Sequence, residues 1–266
     1  MLRLSTNISM LFTELPVLER PAAAAATGFR AIEMQFPYSV SKHELAAASD
    51  SAGVEFVLIN LSPGEPAAGE LGLACLPGRE PEFAASVEAA IEYARTLRCS
   101  RVNCLVGNRP AGESRARCWE VLVGNLWFAA DRLAVAGIQL LVEPLNPVDF
   151  PNFLLTSISD ADALIAAAGH PNLMLQYDVY HRRAAAEDWL GGLIARLDRI
   201  GHIQFADYPG RHEPGTGELD FPQLFALLDA GPYQGWIGCE YRPLGATADS
   251  FAWYDQMRRR PAFDNI

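Results

Sequence analysis

Four residues carry oxygen donors at matching places in the pattern: Glu143, Asp178, Gln204 and Glu240 each stand at or near the end of a short apolar run. The clearest run starts after Gly137, continues through Leu140, Leu141 and Val142, and stops at Glu143 before Pro144. Pro144 cannot donate to a ladder, so a strand ends there with a carboxylate at its carboxyl end. In parallel α/β proteins that end is where chemistry sits. Three carboxylates and an amide oxygen make a hard-oxygen site for Mg²⁺ or Mn²⁺. Without a cation, clustered carboxylates repel and their pKa values rise. A lone acid at a strand end is more often a helix cap or a salt-bridge partner. Four of them, each about one βα unit from the next, converge if the strands close into a barrel.

A second group could contact a substrate. His181 follows Asp178 in Asp178-Val179-Tyr180-His181 and could bond a hydroxyl, although a loop histidine with no role is the plainer alternative. Arg211 lies in a stretch dense in turn residues and could clamp a carboxylate with its two-pronged guanidinium; a solvated loop arginine is the alternative. Asn60 and Asn103 could also face the site, on weaker grounds.

The elements that would position these residues alternate regularly. Strands are expected at 2–7, 31–34, 54–61, 101–106, 137–143, 173–178, 200–206 and 236–240. Helical periodicity runs through Val87, Ala90, Ile91, Ala94 and Leu97, then through Leu122, Leu126, Ala129, Leu133 and Ala136. It returns at Ala161, Leu164, Ile165 and Ala168, at Leu190, Leu193, Ile194 and Leu197, and at Phe221, Leu224, Phe225 and Leu228. An Ala-rich helix over 16–27 should kink or start late at Pro21. Ser41 and Glu44 have the spacing of a capping box, and a last helix is expected over 247–260. Glycines 28, 53, 137, 169 and 231 punctuate helix ends. The stretch 62–78 is a long loop, of the kind that is usually functional or mobile. Eight strands strictly alternating with eight helices in about 250 residues predict a single (β/α)8 TIM barrel domain over 1–266. A doubly wound sheet is the alternative, weakened by the lack of a Gly-x-Gly-x-x-Gly turn after the first strand.

Composition narrows the partners. The 266 residues are 50% hydrophobic and carry a formal net charge of −11, with a pI of about 4.9. Such a chain repels phosphate backbones, so no nucleic acid partner is expected. A small anionic substrate remains compatible, since one local arginine outweighs a distant average. The five cysteines form no Cys-x-x-Cys pair and read as reduced thiols of a cytoplasmic protein. No secretory leader is recognisable, and no apolar run approaches the roughly 18 residues that span a membrane. A homo-oligomer is compatible with the sequence.

Together these residues resemble the hydroxypyruvate isomerase family within the xylose isomerase-like barrel superfamily. The markers include 7–14, Phe36-Pro37-Tyr38, 77–80, 103–107, Glu143-Pro144-Leu145-Asn146, 176–181, 213–218 and Gly238-Cys239-Glu240-Tyr241. The resemblance implies a divalent metal held by Glu143, Asp178, Gln204 and Glu240, with Glu143 and Glu240 exchanging protons with substrate. Two departures bear on the substrate. Many relatives carry His-Asn where this chain has Ile59-Asn60, and 2-oxo-tetronate isomerases also have an apolar residue there. A usual lysine is replaced by Arg242.

The expected reaction is aldose–ketose-type isomerisation of a small hydroxy-oxo acid through an enediolate, with hydroxypyruvate giving tartronate semialdehyde. Rivals are a 2-oxo-tetronate isomerase, a ketose 3-epimerase on the same scaffold, and a non-catalytic sugar- or acid-binding protein. An abasic-site endonuclease would need a histidine-rich metal cluster and a basic groove, which five scattered histidines and the acidic balance oppose.

Overall fold

Runs such as Leu140-Leu141-Val142 have no polar side to turn toward water. They are stable only between a packed barrel interior and an outer ring of helices. That is where a computed structural model, describing residues 2–254, puts them. The strands are β1 (Arg3–Asn7), β2 (Ala31–Met34), β3 (Glu55–Asn60), β4 (Arg101–Cys104), β5 (Gln139–Val142), β6 (Leu173–Asp178), β7 (Ile200–Phe205) and β8 (Trp236–Cys239). They pair in chain order, all parallel, and β8 returns to β1 to close the barrel. The predicted TIM barrel is therefore the fold.

The helices are α1 (Arg20–Ala26), α2 (Lys42–Ala52), α3 (Glu80–Leu97), α4 (Arg115–Val135), α5 (Ile158–Ala168), α6 (Val179–Ala184), α7 (Trp189–Ile194) and α8 (Phe221–Ala230). In α3 the predicted stripe Val87, Ala90, Ile91, Ala94 and Leu97 is buried, and so is Leu122, Leu126, Ala129 and Leu133 in α4. Gly53 and Gly169 end α2 and α5 in the left-handed conformation, at φ 68° and 61°, that a side chain would oppose.

Several local expectations need correction. Alternation is not strict: two short helices, α6 and α7, follow β6, because Asp178 caps α6 directly at the strand end. Ile194 in α7 is 49% exposed, since a two-turn helix buries only Leu193. Ser41 stands before α2, but its hydroxyl makes no capping bond, so the capping box is not formed. Gly231 follows α8 in an extended conformation rather than a left-handed one. Pro21 marks the later start: a 3-10 turn at Val17–Glu19 precedes α1, with Pro21 in its first turn. After β8 comes a 3-10 turn at Thr247–Phe251; 255–260 of the expected last helix lie outside the described residues.

One feature of the barrel departs from the usual filling by branched apolar side chains. Ser5, Glu33, Gln176, His202 and Gln204 are all buried within the strands. Buried polar groups need partners, and these residues largely serve one another.

Candidate active site

Glu143 follows β5 by one residue and Glu240 follows β8 by one residue, both at the carboxyl ends of their strands. Both are nearly buried, 4% and 5% exposed, and both line a cavity of about 840 Å³. Their surroundings are alike. Glu143 Oε2 accepts from Asn103 Nδ2 at 3.1 Å and Gln176 Nε2 at 2.9 Å, while Oε1 has no hydrogen-bond partner among the described residues. Glu240 Oε1 accepts from Asn7 Nδ2 and Gln35 Nε2, each at 2.9 Å, while Oε2 faces Arg211 Nη2 at 2.5 Å. Each glutamate thus has one oxygen tethered by two amides; the other is unpartnered in Glu143 and paired with Arg211 in Glu240.

Asp178 ends β6. Its Oδ1 accepts from the Tyr180 amide at 2.8 Å, and its Oδ2 lies 3.4 Å from Arg211 Nη2. Gln204 lies within β7, opposite Asp178 in register. Gln176 Nε2 joins it to Glu143, donating to Gln204 Oε1 at 2.6 Å as well as to Glu143 Oε2. Glu143, Glu240, His181 and Arg211 line the cavity wall, whereas Asp178 and Gln204 connect to it through these contacts.

Glu143, Asp178 and His181 each offer a ligand atom, all within 4.8 Å of one another. The ring orientation of His181 separates it from the two acids. The Asn146 backbone amide can only donate, and it points at His181 Nδ1 from 3.2 Å; Asn146 Nδ2 also lies 2.8 Å away. Nδ1 must therefore accept, so the proton of the neutral ring is on Nε2. That nitrogen faces Asp178 Oδ2 at 3.6 Å and Glu143 Oε1 at 3.9 Å. Burial, with the Arg211 and Arg182 charges adding to it, holds the imidazole well below its ordinary pKa. His181 is thus a neutral hydrogen-bond donor aimed at the carboxylates.

Arg211 is set by a loop wound on one acid. Asp207 accepts from the backbone amides of Tyr208, Gly215, Gly217 and Leu219. Arg211 itself takes φ 60° and donates its amide to Asp207 O. The guanidinium lies over the Tyr180 ring and pairs with Glu240 and Asp178, while its buried Nε has no partner among the described residues. Arg242 sits at the cavity rim and donates its backbone amide to Arg211 O. Asn60 lines the cavity too, and Asn103 is one of the tethers of Glu143.

Burial pushes the Glu143 carboxyl well above its ordinary range, and Glu240 and Asp178 push it further. Burial raises Asp178 against the opposing pull of Arg211. Burial also raises Glu240, to about 7, with Arg211 opposing and Asp178 and Glu33 adding to the rise. Three crowded acids and one unpartnered carboxylate oxygen form a donor set that suits a hard divalent cation. The amide oxygen of Gln204 is compatible with the same set.

Of the four tethers, Asn103 is named from the sequence, whereas Asn7, Gln35 and Gln176 are not singled out. A signal for them exists: polar residues two apart inside otherwise apolar strands, as in Ser5/Asn7, Glu33/Gln35, Gln176/Asp178 and His202/Gln204. In a strand such pairs share one face.

The xylose isomerase-like TIM barrel family matches residues 21–257. A protein of Escherichia coli (strain K12) named hydroxypyruvate isomerase is 45% identical over 258 residues, which is 97% of this chain and 100% of that one. A 2-oxo-tetronate isomerase of Cupriavidus necator is 44% identical over 251 residues, covering 94% and 96% of the two chains. Among solved structures, a Brucella melitensis protein described as AP endonuclease, family 2 is similar with a TM-score of 0.93 and 38% identity, covering 96% and 99%.

Proposed function

The chain belongs to the xylose isomerase-like TIM barrel family and is an enzyme of the isomerase class, and we propose that it interconverts hydroxypyruvate and tartronate semialdehyde with a divalent metal, Mg²⁺ or Mn²⁺. The observation that carries this reading is the pair of tethered glutamates, Glu143 and Glu240, which line the same cavity from the ends of β5 and β8. A 1,2-isomerisation needs two proton transfers at adjacent carbons, and two positioned carboxylates suit them.

In this reading Glu143, Asp178, Gln204 and Glu240 hold the cation, which supplies Lewis-acid polarisation of the substrate carbonyl. One glutamate removes the proton from the hydroxymethyl carbon. In the resulting enediolate the hydroxyl proton passes from that carbon's oxygen to the neighbouring oxygen, and the other glutamate reprotonates the neighbouring carbon. Each glutamate keeps its geometry through the reaction because its second oxygen is tied by two amides. His181 donates its Nε2 proton to a substrate oxygen. Arg211, braced on Glu240 and Asp178 in the cavity wall, supplies the positive charge for the substrate carboxylate.

Two observations keep a four-carbon relative of this substrate in play. The cavity of about 840 Å³ is larger than a three-carbon acid requires, and the Cupriavidus necator relative is named for 2-oxo-tetronate. DNA cleavage, suggested by the name of the Brucella melitensis structure, is disfavoured by the net charge of −11. The test is to incubate the purified chain with Mg²⁺ or Mn²⁺ and follow hydroxypyruvate, 2-oxo-tetronate and neutral ketoses by proton NMR. Isomerisation of the acids with no change in the ketoses is the expected result. Turnover of neutral ketoses alone would transfer the chain to the 3-epimerases.

A further inference from the structure

Below the proposed metal ligands, a second buried acid has no part in the reaction just described. Glu33, on β2, is fully buried inside the barrel. Three side chains from two other strands, β1 and β7, converge on it. Ser5 Oγ donates to Glu33 Oε1 at 2.6 Å, His202 Nε2 lies 2.7 Å from the same oxygen, and Gln204 Nε2 donates to Glu33 Oε2 at 2.7 Å. Space for the carboxylate is made by β8. A Cβ on Gly238 would come within 2.1 Å of Glu33 Oε1.

A buried acid held by polar partners is a poor way to stabilise a barrel, since apolar residues of similar volume usually do as well or better. It is a good way to remove an ambiguity. The end of a glutamine side chain is nearly symmetric, and rotation by half a turn exchanges its oxygen for an NH₂ group. For Gln204 that exchange decides whether the site receives an acceptor or a donor. A carboxylate accepts only, so Glu33 can bond Gln204 solely through Nε2, and Oε1 then turns the other way. There it meets Gln176 Nε2, which donates at the same time to Glu143 Oε2. The chain of contacts runs from Glu33 through Gln204 and Gln176 to Glu143, with every amide direction fixed from the carboxylate end.

We propose that Glu33 is a positioning residue that locks the Gln204 amide with its oxygen toward the cation site, making Gln204 an oxygen ligand. The proposal rests on the four-oxygen reading above, in which Gln204 is a ligand. A carboxamide at position 33 would accept as well as donate and would bond either orientation of Gln204. Part of the population would then turn an NH₂ group toward the cation.

The experiment measures Mn²⁺ binding to the full-length, chelator-stripped chain by the EPR signal of free Mn²⁺, with melting temperature recorded in parallel. Glu33→Gln is expected to weaken Mn²⁺ binding by at least ~10-fold, the lower range for residues that orient metal ligands, with a lower melting temperature but the chain still folded at the temperature of the binding measurement. The double variant Glu33→Gln with Gln204→Glu keeps the buried charge constant and puts an oxygen toward the site in either orientation. It should recover binding to within ~3-fold of the unaltered protein on the same scale. Glu33→Asp, which keeps the charge but withdraws it from Gln204, should also bind Mn²⁺ more weakly and covers the case in which Glu33→Gln fails to fold. Unchanged affinity in the folded single variants would overturn the proposal, as would a double variant no better than Glu33→Gln. A separate arm addresses the underlying reading. If Gln204→Leu binds Mn²⁺ as the unaltered chain does, Gln204 is no ligand, and the four-oxygen set falls together with the role of Glu33.

Discussion

The barrel holds two groups of buried acids in opposite electrostatic conditions. Inside the strands, Glu33 is met by His202, Ser5 and Gln204, with both oxygens hydrogen-bonded. Burial tends to raise its pKa, but His202 and these hydrogen bonds outweigh it and hold the carboxyl below its ordinary range. At the strand ends, Asp178 and Glu240 share the guanidinium of Arg211, whose charge opposes burial without cancelling it, and these two acids and Glu143 are all pushed up. The same residue type is thus quiet in one layer and primed in the next. The difference comes from partners more than from burial, because both groups are almost fully buried. An acid with all its partners orients its neighbours; crowded acids that lack them are suited to a cation and to moving protons.

The sharpest way to break this contrast is to remove one proton-carrying group from the upper layer. Glu143→Gln and Glu240→Gln keep the size and one oxygen donor but abolish the base. Each should lower kcat by at least ~100-fold while the fold is retained, the lower range for general acid–base catalysis. Steady-state kinetics on the metal-loaded variants checks this, and near-normal turnover in both would make the site structural.

Arg211 comes next, because it serves both the acids and the proposed substrate carboxylate. Arg211→Ala should cost roughly 1.5–3 kcal/mol in kcat/KM, the range for hydrogen bonds to charged groups. Arg211→Lys should recover only part, since the fork is lost. If kcat/KM is unchanged in the alanine variant, the carboxylate is bound elsewhere, with Arg242 the neighbouring rim cation to test.

Supplying a cation should relieve the upper layer alone. Saturating Mn²⁺ at about a hundred times its dissociation constant adds roughly 2.7 kcal/mol to stability. For a chain of this size that corresponds to a rise of about 5–10 °C in Tm. Calorimetry of the chelator-stripped protein before and after Mn²⁺ addition measures it, and no shift would contradict a metal site of this strength.

The smallest effect distinguishes the two layers by sign. The raised pKa of Glu240, about 7 against a reference of 4.5, means that the folded state holds this proton more tightly. Its stabilisation is present below about pH 4.5 and is lost as pH rises toward about 7. Glu143 and Asp178 act in the same direction. Glu33 acts oppositely: its contribution is present above about pH 4.5 and is lost on acidification. In the metal-free chain, Tm should therefore fall by a few degrees between pH 5 and 7.5, and Glu240→Gln should flatten the fall. A Tm that rises over this window would contradict the assignment.

How much of this was legible in the sequence follows from what each feature depends on. The barrel was, because alternating helix stripes and doubly buried strands leave a local trace, as with Val87 to Leu97 and Leu140 to Val142. Glu143 and Glu240 were, because an acid ending an apolar run stands out. Three of the tethers were not, because Asn7, Gln35 and Gln176 acquire their meaning only when strands distant in sequence become neighbours. Asn7 and Glu240 are 233 positions apart and bond at 2.9 Å. The tautomer of His181, in α6, was equally hidden, since it depends on the backbone amide of Asn146 in the loop after β5. The failed capping box at Ser41 shows the converse: a spacing can be right while the hydroxyl does not reach.

The central claim, that two tethered glutamates move protons between adjacent carbons of a hydroxy-oxo acid, is tested most directly by isomerisation in deuterated water. The metal-loaded protein is incubated with hydroxypyruvate, and deuterium is located in product and in recovered substrate by NMR. Deuterium at the reprotonated carbon of tartronate semialdehyde is predicted, with Glu143→Gln and Glu240→Gln both failing to complete turnover and at most one of them still exchanging substrate protons. Product formed at a normal rate by either glutamine variant, with solvent deuterium at the same carbon, would contradict the account.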